Sequence, residues 1–118
     1  MTDIGILFAG VPVRDFEAAL AWYTRLFGRP ADVTVTDDEV MWRFADAAWL
    51  YIVRDDPRAG RALVALCVAD LDQTLADISD RGISSGPVEV VGESARKAVI
   101  TDADGNALSF IEVSAPAS

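Results

Sequence analysis

An internal repeat is the feature that most constrains the fold of this chain. An apolar run, Ile4 to Val13, is followed by Asp15, then by Phe16, Leu20, Tyr23 and Phe27 at helical spacing, with Ala19, Trp22 and Leu26 widening the stripe. Asp15 predicts an N-cap, because its carboxylate can accept from the free N–H groups of the first turn. Gly28, with Pro30 behind it, predicts the helix end. Short β-type runs follow at Val33–Thr36, Val40–Phe44 and Trp49–Val53, with turns at Asp37-Asp38 and Asp46-Ala47. After a polar connector, Arg54 to Gly60, the pattern restarts. Leu63–Val68 is an apolar strand, Asp70 a cap, and Leu71, Leu75 and Ile78 a helix face closed by Gly82. Gln73 is placed as the return arm of a capping box. Three more runs, Val88–Val91, Ala98–Thr101 and Ala107–Val113, complete the half, the last two flanking the hairpin signal Asp102-Ala-Asp-Gly-Asn106. Val13-x-Asp15 recurs as Val68-x-Asp70, and Asp46-x-x-Trp-Leu-Tyr51 as Asp104-x-x-Ala-Leu-Ser109. The order is βαβββ twice, an α+β chain of 118 residues that reads as one domain. Module 1 spans about 4–54, the linker 55–60 and module 2 about 61–113, and the tail Ser114–Ser118 is expected to fray.

Charge and composition narrow the function. A net charge of −9 repels phosphate backbones and anionic lipid head groups, so neither nucleic acid nor a membrane is an expected partner. The Ile4–Val13 run has ten residues, too few to span a bilayer, and no basic segment precedes it as in a signal peptide. One cysteine, Cys67, cannot form an internal disulfide, and a cytoplasmic location is expected. There is no histidine. That removes the commonest general base and metal-binding imidazole, and with them any Ser-His-Asp or Cys-His nucleophile system. Without such a base Cys67 reads as a quiet buried thiol. The Asp102 loop lacks the glycine and glutamate spacing of an EF-hand and reads as a turn.

The paired modules, the opening FAGVPVRDFEAALAWYTRLFGRP and the closing TDADGNALSFIEV resemble the vicinal oxygen chelate superfamily. That superfamily includes glyoxalase I, bleomycin-resistance proteins, fosfomycin-resistance enzymes and extradiol dioxygenases. The resemblance covers about residues 4–113. It implies two modules whose sheets curl around a cleft, helices on the convex face, and a homodimer. Its enzymes hold a metal with His, Gln or Glu on four strands. Carried over to this sequence, the ligand positions read Phe8, Tyr51, Leu63 and Ser109. Phe and Leu carry no donor atom, and Ser and Tyr hydroxyls are poor ligands when neutral. No metal and no other cofactor is therefore expected, and no catalytic residue is assigned.

Each of those positions marks the cleft face of its strand, since side chains alternate. That face takes Ile6 and Gly10 beside Phe8, Trp49 beside Tyr51, Ala65 and Cys67 beside Leu63, and Ala107 and Ile111 beside Ser109. Trp42 and Phe44 share a face and are assigned to the same cleft. The expected ligand-binding set is thus Phe8, Trp42, Phe44, Trp49, Tyr51, Leu63, Ser109 and Ile111, mostly apolar with two hydroxyl anchors. Asp37, Asp38 and Glu39 are candidates for an acidic rim that would favour a cation over the aromatic faces. The function this implies is metal-independent sequestration of a small aromatic or amphipathic molecule, cationic drugs included, as in antibiotic resistance. The alternative is a lyase, isomerase or dioxygenase-type enzyme of the same superfamily with unusual site residues.

Overall fold

A computed structural model describes residues 2–114; residues 115–118, most of the tail expected to fray, lie outside the described residues. Each half folds as a strand, a helix and three strands. Module 1 comprises β1 (Leu7–Val13), α1 (Phe16–Phe27), β2 (Val33–Thr36), β3 (Glu39–Ala45) and β4 (Ala48–Arg54). A 3-10 turn, Asp56–Arg58, leads to β5 (Leu63–Cys67), α2 (Leu71–Asp80), β6 (Glu89–Val91), β7 (Ala95–Thr101) and β8 (Ala107–Val113). The caps behave as their residues dictate. Asp15 accepts from Ala18 N at 3.1 Å, Asp70 from Gln73 N at 3.0 Å, and Gly28 ends α1 in the left-handed region at φ 72°. The capping box does not close, because the Gln73 amide donates to Asp77 Oδ1 instead. No helix among the described residues is long and apolar enough to cross a membrane.

Two four-stranded mixed sheets result, in the orders β1-β4-β3-β2 and β5-β8-β7-β6. In each, the first strand runs parallel to the last, and the remaining pairs are antiparallel. The crossover helix between them covers one face. Tyr23 and Leu26 of α1, and Leu71 and Ile78 of α2, pack on Val11, Val13, Leu50, Ile52, Ile100, Leu108 and Phe110 to form a continuous core. Among the described residues, the other face of each sheet is left without a helix and no ladder joins the two sheets. The chain is accordingly a plate of 47 × 43 × 25 Å, and its sheets do not close on a cavity.

The modules are tied together by the Asp102–Asn106 turn. Asn106, fully buried, accepts from Gly60 N and Ala62 N at 3.0 Å each through Oδ1 and donates from Nδ2 to Pro12 O and Asp102 Oδ2, both at 2.8 Å. Asp102 accepts three turn N–H groups at Oδ1 and the Tyr23 hydroxyl at Oδ2, 2.7 Å away. Burial and the Asp102 carboxylate push the Tyr23 phenol well above its ordinary pKa, so it remains a proton donor. Arg81 adds a second tie by donating to the last carbonyls of α1, at Arg25 and Leu26. Every polar atom of this knot has a partner, which is what burying it requires.

Candidate functional site

The uncovered face of the first sheet is set by β1 and β4. Register pairs Phe8 with Trp49 and Gly10 with Tyr51, and alternation turns all four away from the helices. The rings of Phe8 and Trp49 lie 6.0 Å apart, with the Arg43 guanidinium 5.8 Å above the Trp49 ring. Tyr51 lies flat over β1. A β-carbon at residue 10 would stand 2.5 Å from its Cζ, so only glycine admits the ring there. Met41, paired with Tyr51, and Val33, paired with Met41, continue the row.

The second sheet presents Leu63, Ala65 and Cys67 from β5, with Ser109 opposite Ala65 and Ile111 opposite Cys67. Val99 pairs with Ser109 and Lys97 with Ile111. Leu63 is 88% exposed and Phe8 47%, values a closed cleft would not leave. Phe8, Trp49, Tyr51, Leu63, Ser109 and Ile111 thus stand on the uncovered faces, three per sheet, with Gly10, Ala65 and Ala107 between them.

Trp42 and Phe44 belong elsewhere, and their assignment to the cleft is corrected. Trp42 pairs with Leu50 and is fully buried on the helix side, its ring 5.3 Å from Phe27 and its Nε1 donating to Arg29 O at 3.0 Å. Phe44 stacks edge-on against Phe27 at 5.0 Å and lines a groove between the modules with Cys67 and Arg81. In β3 both Val40 and Met41 are apolar, so sequence alternation alone leaves the parity open. The residues it should have given are Met41 and Arg43. Cys67 is exposed on the edge strand β5, not buried. Asp37 and Asp38 border a hollow with Asp15, Phe16 and Glu17 at the start of α1, not the uncovered face; of the expected rim only Glu39, opposite Val53, points that way.

Two further features were missed by the sequence reading. Trp49 Nε1 is buried without a hydrogen-bond partner among the described residues. Where the modules meet, Gly10, Tyr51 and Val53 form one wall of a hollow of about 360 Å³, with Asp55, Arg58 and Arg61 around it. The side chains at the implied metal positions do not fit a metal ion. Phe8 and Leu63 offer only carbon, and among the described residues no three His, Cys, Asp or Glu side chains come together.

Residues 5–110 match the family described as the Glyoxalase/Bleomycin resistance protein/Dioxygenase superfamily. A glyoxalase/bleomycin resistance protein from Catenulispora acidiphila DSM 44928 is similar in structure, with 40% identity, a TM-score of 0.86, and coverage of 92% of this chain and 97% of that one. TnmS3, an antibiotic-binding protein from Streptomyces sp. CB03234, shares the fold at 24% identity and TM-score 0.76, covering 97% and 99%. A bleomycin-binding protein solved with bleomycin shares it at 23% and 0.74, covering 94% and 98%. Comparison with curated proteins gives no significant match.

Proposed function

The chain belongs to the glyoxalase/bleomycin resistance protein/dioxygenase superfamily, and from that premise we propose that it is a binding protein that sequesters a small aromatic or amphipathic molecule without a metal. The observation that carries this reading is the row Phe8, Trp49, Tyr51: an aromatic wall on an uncovered sheet face, in which Phe8 and Tyr51 stand at two of the positions that the family resemblance implies for an ion. Each ring stacked on a planar ligand adds about 0.5–1.5 kcal/mol beyond burial. Two or three such contacts with burial reach about −8.2 kcal/mol, which is micromolar affinity. A ligand acceptor would give the Trp49 N–H the partner it lacks, and Tyr51 and Ser109 would supply hydroxyl anchors.

A single plate does not enclose a ligand, so the working unit is a homodimer. Phe8, Leu63, Val91 and Val113 are exposed apolar side chains on uncovered faces, and a second copy would cover them. Binding is then reversible burial between two such faces, with no bond made or broken.

Tryptophan fluorescence titration with planar aromatic antibiotics, including bleomycin, tests the reading. Saturable quenching that survives exhaustive dialysis against a chelator, from a species of dimer mass in light scattering, is the expected result. Quenching that vanishes with chelation and returns with nickel, zinc or iron would replace it with a metal-dependent one.

A further inference from the structure

We propose that the molecule held on this face carries a carboxylate, and that the carboxylate docks in the hollow between the modules against the Arg61 guanidinium and the Tyr51 hydroxyl. The inference rests on the sequestration reading and names the ligand class. The hollow joins the aromatic wall directly, because Tyr51 is a member of both. Around it stand two guanidinium groups and one carboxylate. Asp55 is committed to Arg58, accepting from its Nε at 2.7 Å and its backbone N at 3.3 Å. Arg61 makes no salt bridge among the described residues.

Of the nine arginines, three make no salt bridge among the described residues: Arg25, Arg61 and Arg81, the last of which donates to the Arg25 and Leu26 carbonyls. Arg14, Arg29, Arg43, Arg54, Arg58 and Arg96 all have a carboxylate partner. Arg61 instead stands exposed at the hollow that Gly10 and Val53 help to line, where its planar fork can take both oxygens of a carboxylate. The Tyr51 hydroxyl makes no hydrogen bond among the described residues, and its ring is pinned across Gly10, so its O–H is free to donate into the hollow. Of the expected acidic rim, Asp37 and Asp38 lie at the start of α1; Glu39 shares this face, opposite Val53, and is not among the residues that line the hollow. An aryl carboxylate satisfies both elements together: its ring lies on Phe8 and Trp49, and its oxyanion meets Arg61 and Tyr51.

The test compares 2-naphthoate with 1-naphthylmethylamine, two naphthalenes of opposite charge, by equilibrium dialysis against the full chain, Arg61→Gln and Arg61→Lys. Arg61 is exposed, and thermal melts verify that the variants fold. The expectation is that naphthoate binds the parent about tenfold tighter than the amine. Arg61→Gln abolishes that preference, and Arg61→Lys restores most of it. Equal binding of the two probes, or naphthoate binding unmoved in Arg61→Gln, overturns the carboxylate assignment and leaves sequestration standing. Binding of neither probe overturns both.

Discussion

Tyr51 and Ser109 hold equivalent places in the two modules, yet one is a bulky ring on its uncovered face and the other is among the smallest side chains on its own. Their neighbours compensate. Tyr51 lies opposite Gly10, and Ser109 lies opposite Ala65. One step along, Phe8 faces Trp49, whereas Leu63 faces Ala107. The ladders are the same in kind, one parallel pair and one antiparallel pair around the last strand. A βαβββ backbone therefore fixes where a side chain points but not what it offers. Module 1 presents an aromatic wall and module 2 a mostly aliphatic surface that also carries Lys97, and the proposed sequestration uses that division, with a flat molecule stacked on one side and room for it on the other.

The final hairpins break the symmetry most strongly. In module 1, Asp46 is exposed and pairs with Arg43 beside it in the turn. In module 2, Asn106 is buried and serves four partners. Asn106→Ala should cost about 4 kcal/mol, because at a fully buried site two N–H groups and a carbonyl lose the amide that serves them, and Asp102 Oδ2 keeps only the Tyr23 hydroxyl. Asp46→Ala should stay within about 0.5 kcal/mol. Urea denaturation of the two variants measures the contrast. Similar losses would mean that the Asn106 knot does not hold the modules together.

Much of this was legible in the residues. Caps at Asp15 and Asp70, the glycine stop at Gly28 and the closing hairpin are local chemistry, and local chemistry survives folding. Six of the eight expected site residues lie on the uncovered faces because strands β1, β4, β5 and β8 alternate cleanly between packed and open positions. Trp42 and Phe44 failed for the converse reason. Four successive nonpolar or amphipathic residues, Val40 to Arg43, carry no period-two signal, and only pairing with Leu50 settles which face Trp42 takes. The Arg61 hollow was not legible at all, since it exists only where β1, β4 and the linker converge.

Exchanging the complementary pairs sharpens the comparison. Gly10→Ala should destabilise by about 2 kcal/mol, as the new methyl group overlaps the Tyr51 ring. Combining it with Tyr51→Ser recreates the Ala65–Ser109 arrangement of module 2, and should recover most of that loss. A double-mutant cycle showing additive costs would sink the idea that glycine is there for the ring. A smaller effect is expected at Trp49. Replacing it by Phe removes an indole N–H that has no partner, which offsets the lost apolar area and keeps stability within about 1 kcal/mol of the parent. The same change should remove most ligand-induced fluorescence quenching. Retained quenching would move the ligand off the module 1 wall.

The smallest difference lies at the outer strands and is read with acid. In module 1, Asp32 accepts from Arg43 N and from Arg29 Nη1, both at 2.7 Å, which fastens the start of β2 to β3. Those two hydrogen bonds, the backbone one first, hold its carboxyl below the ordinary carboxylate pKa. In module 2 the charged tie is a cation on β7, and it runs inward to α2 and β8. Arg96, held between Asp72 and Glu112, has its pKa raised by them and stays charged throughout the acid range. A depressed pKa means that Asp32 contributes its full stabilisation above the unfolded carboxylate value of about 4, and loses it as pH falls through its lower folded value. Asp32→Asn should therefore be less stable than the parent at neutral pH, and over the range from neutral to acid pH the gap should close, below the unfolded carboxylate value, as the parent's own carboxylate protonates. Urea midpoints across that range measure it. A gap that stays constant from neutral to acid pH would mean that the module 1 edge is held by shape and not by the Asp32 charge.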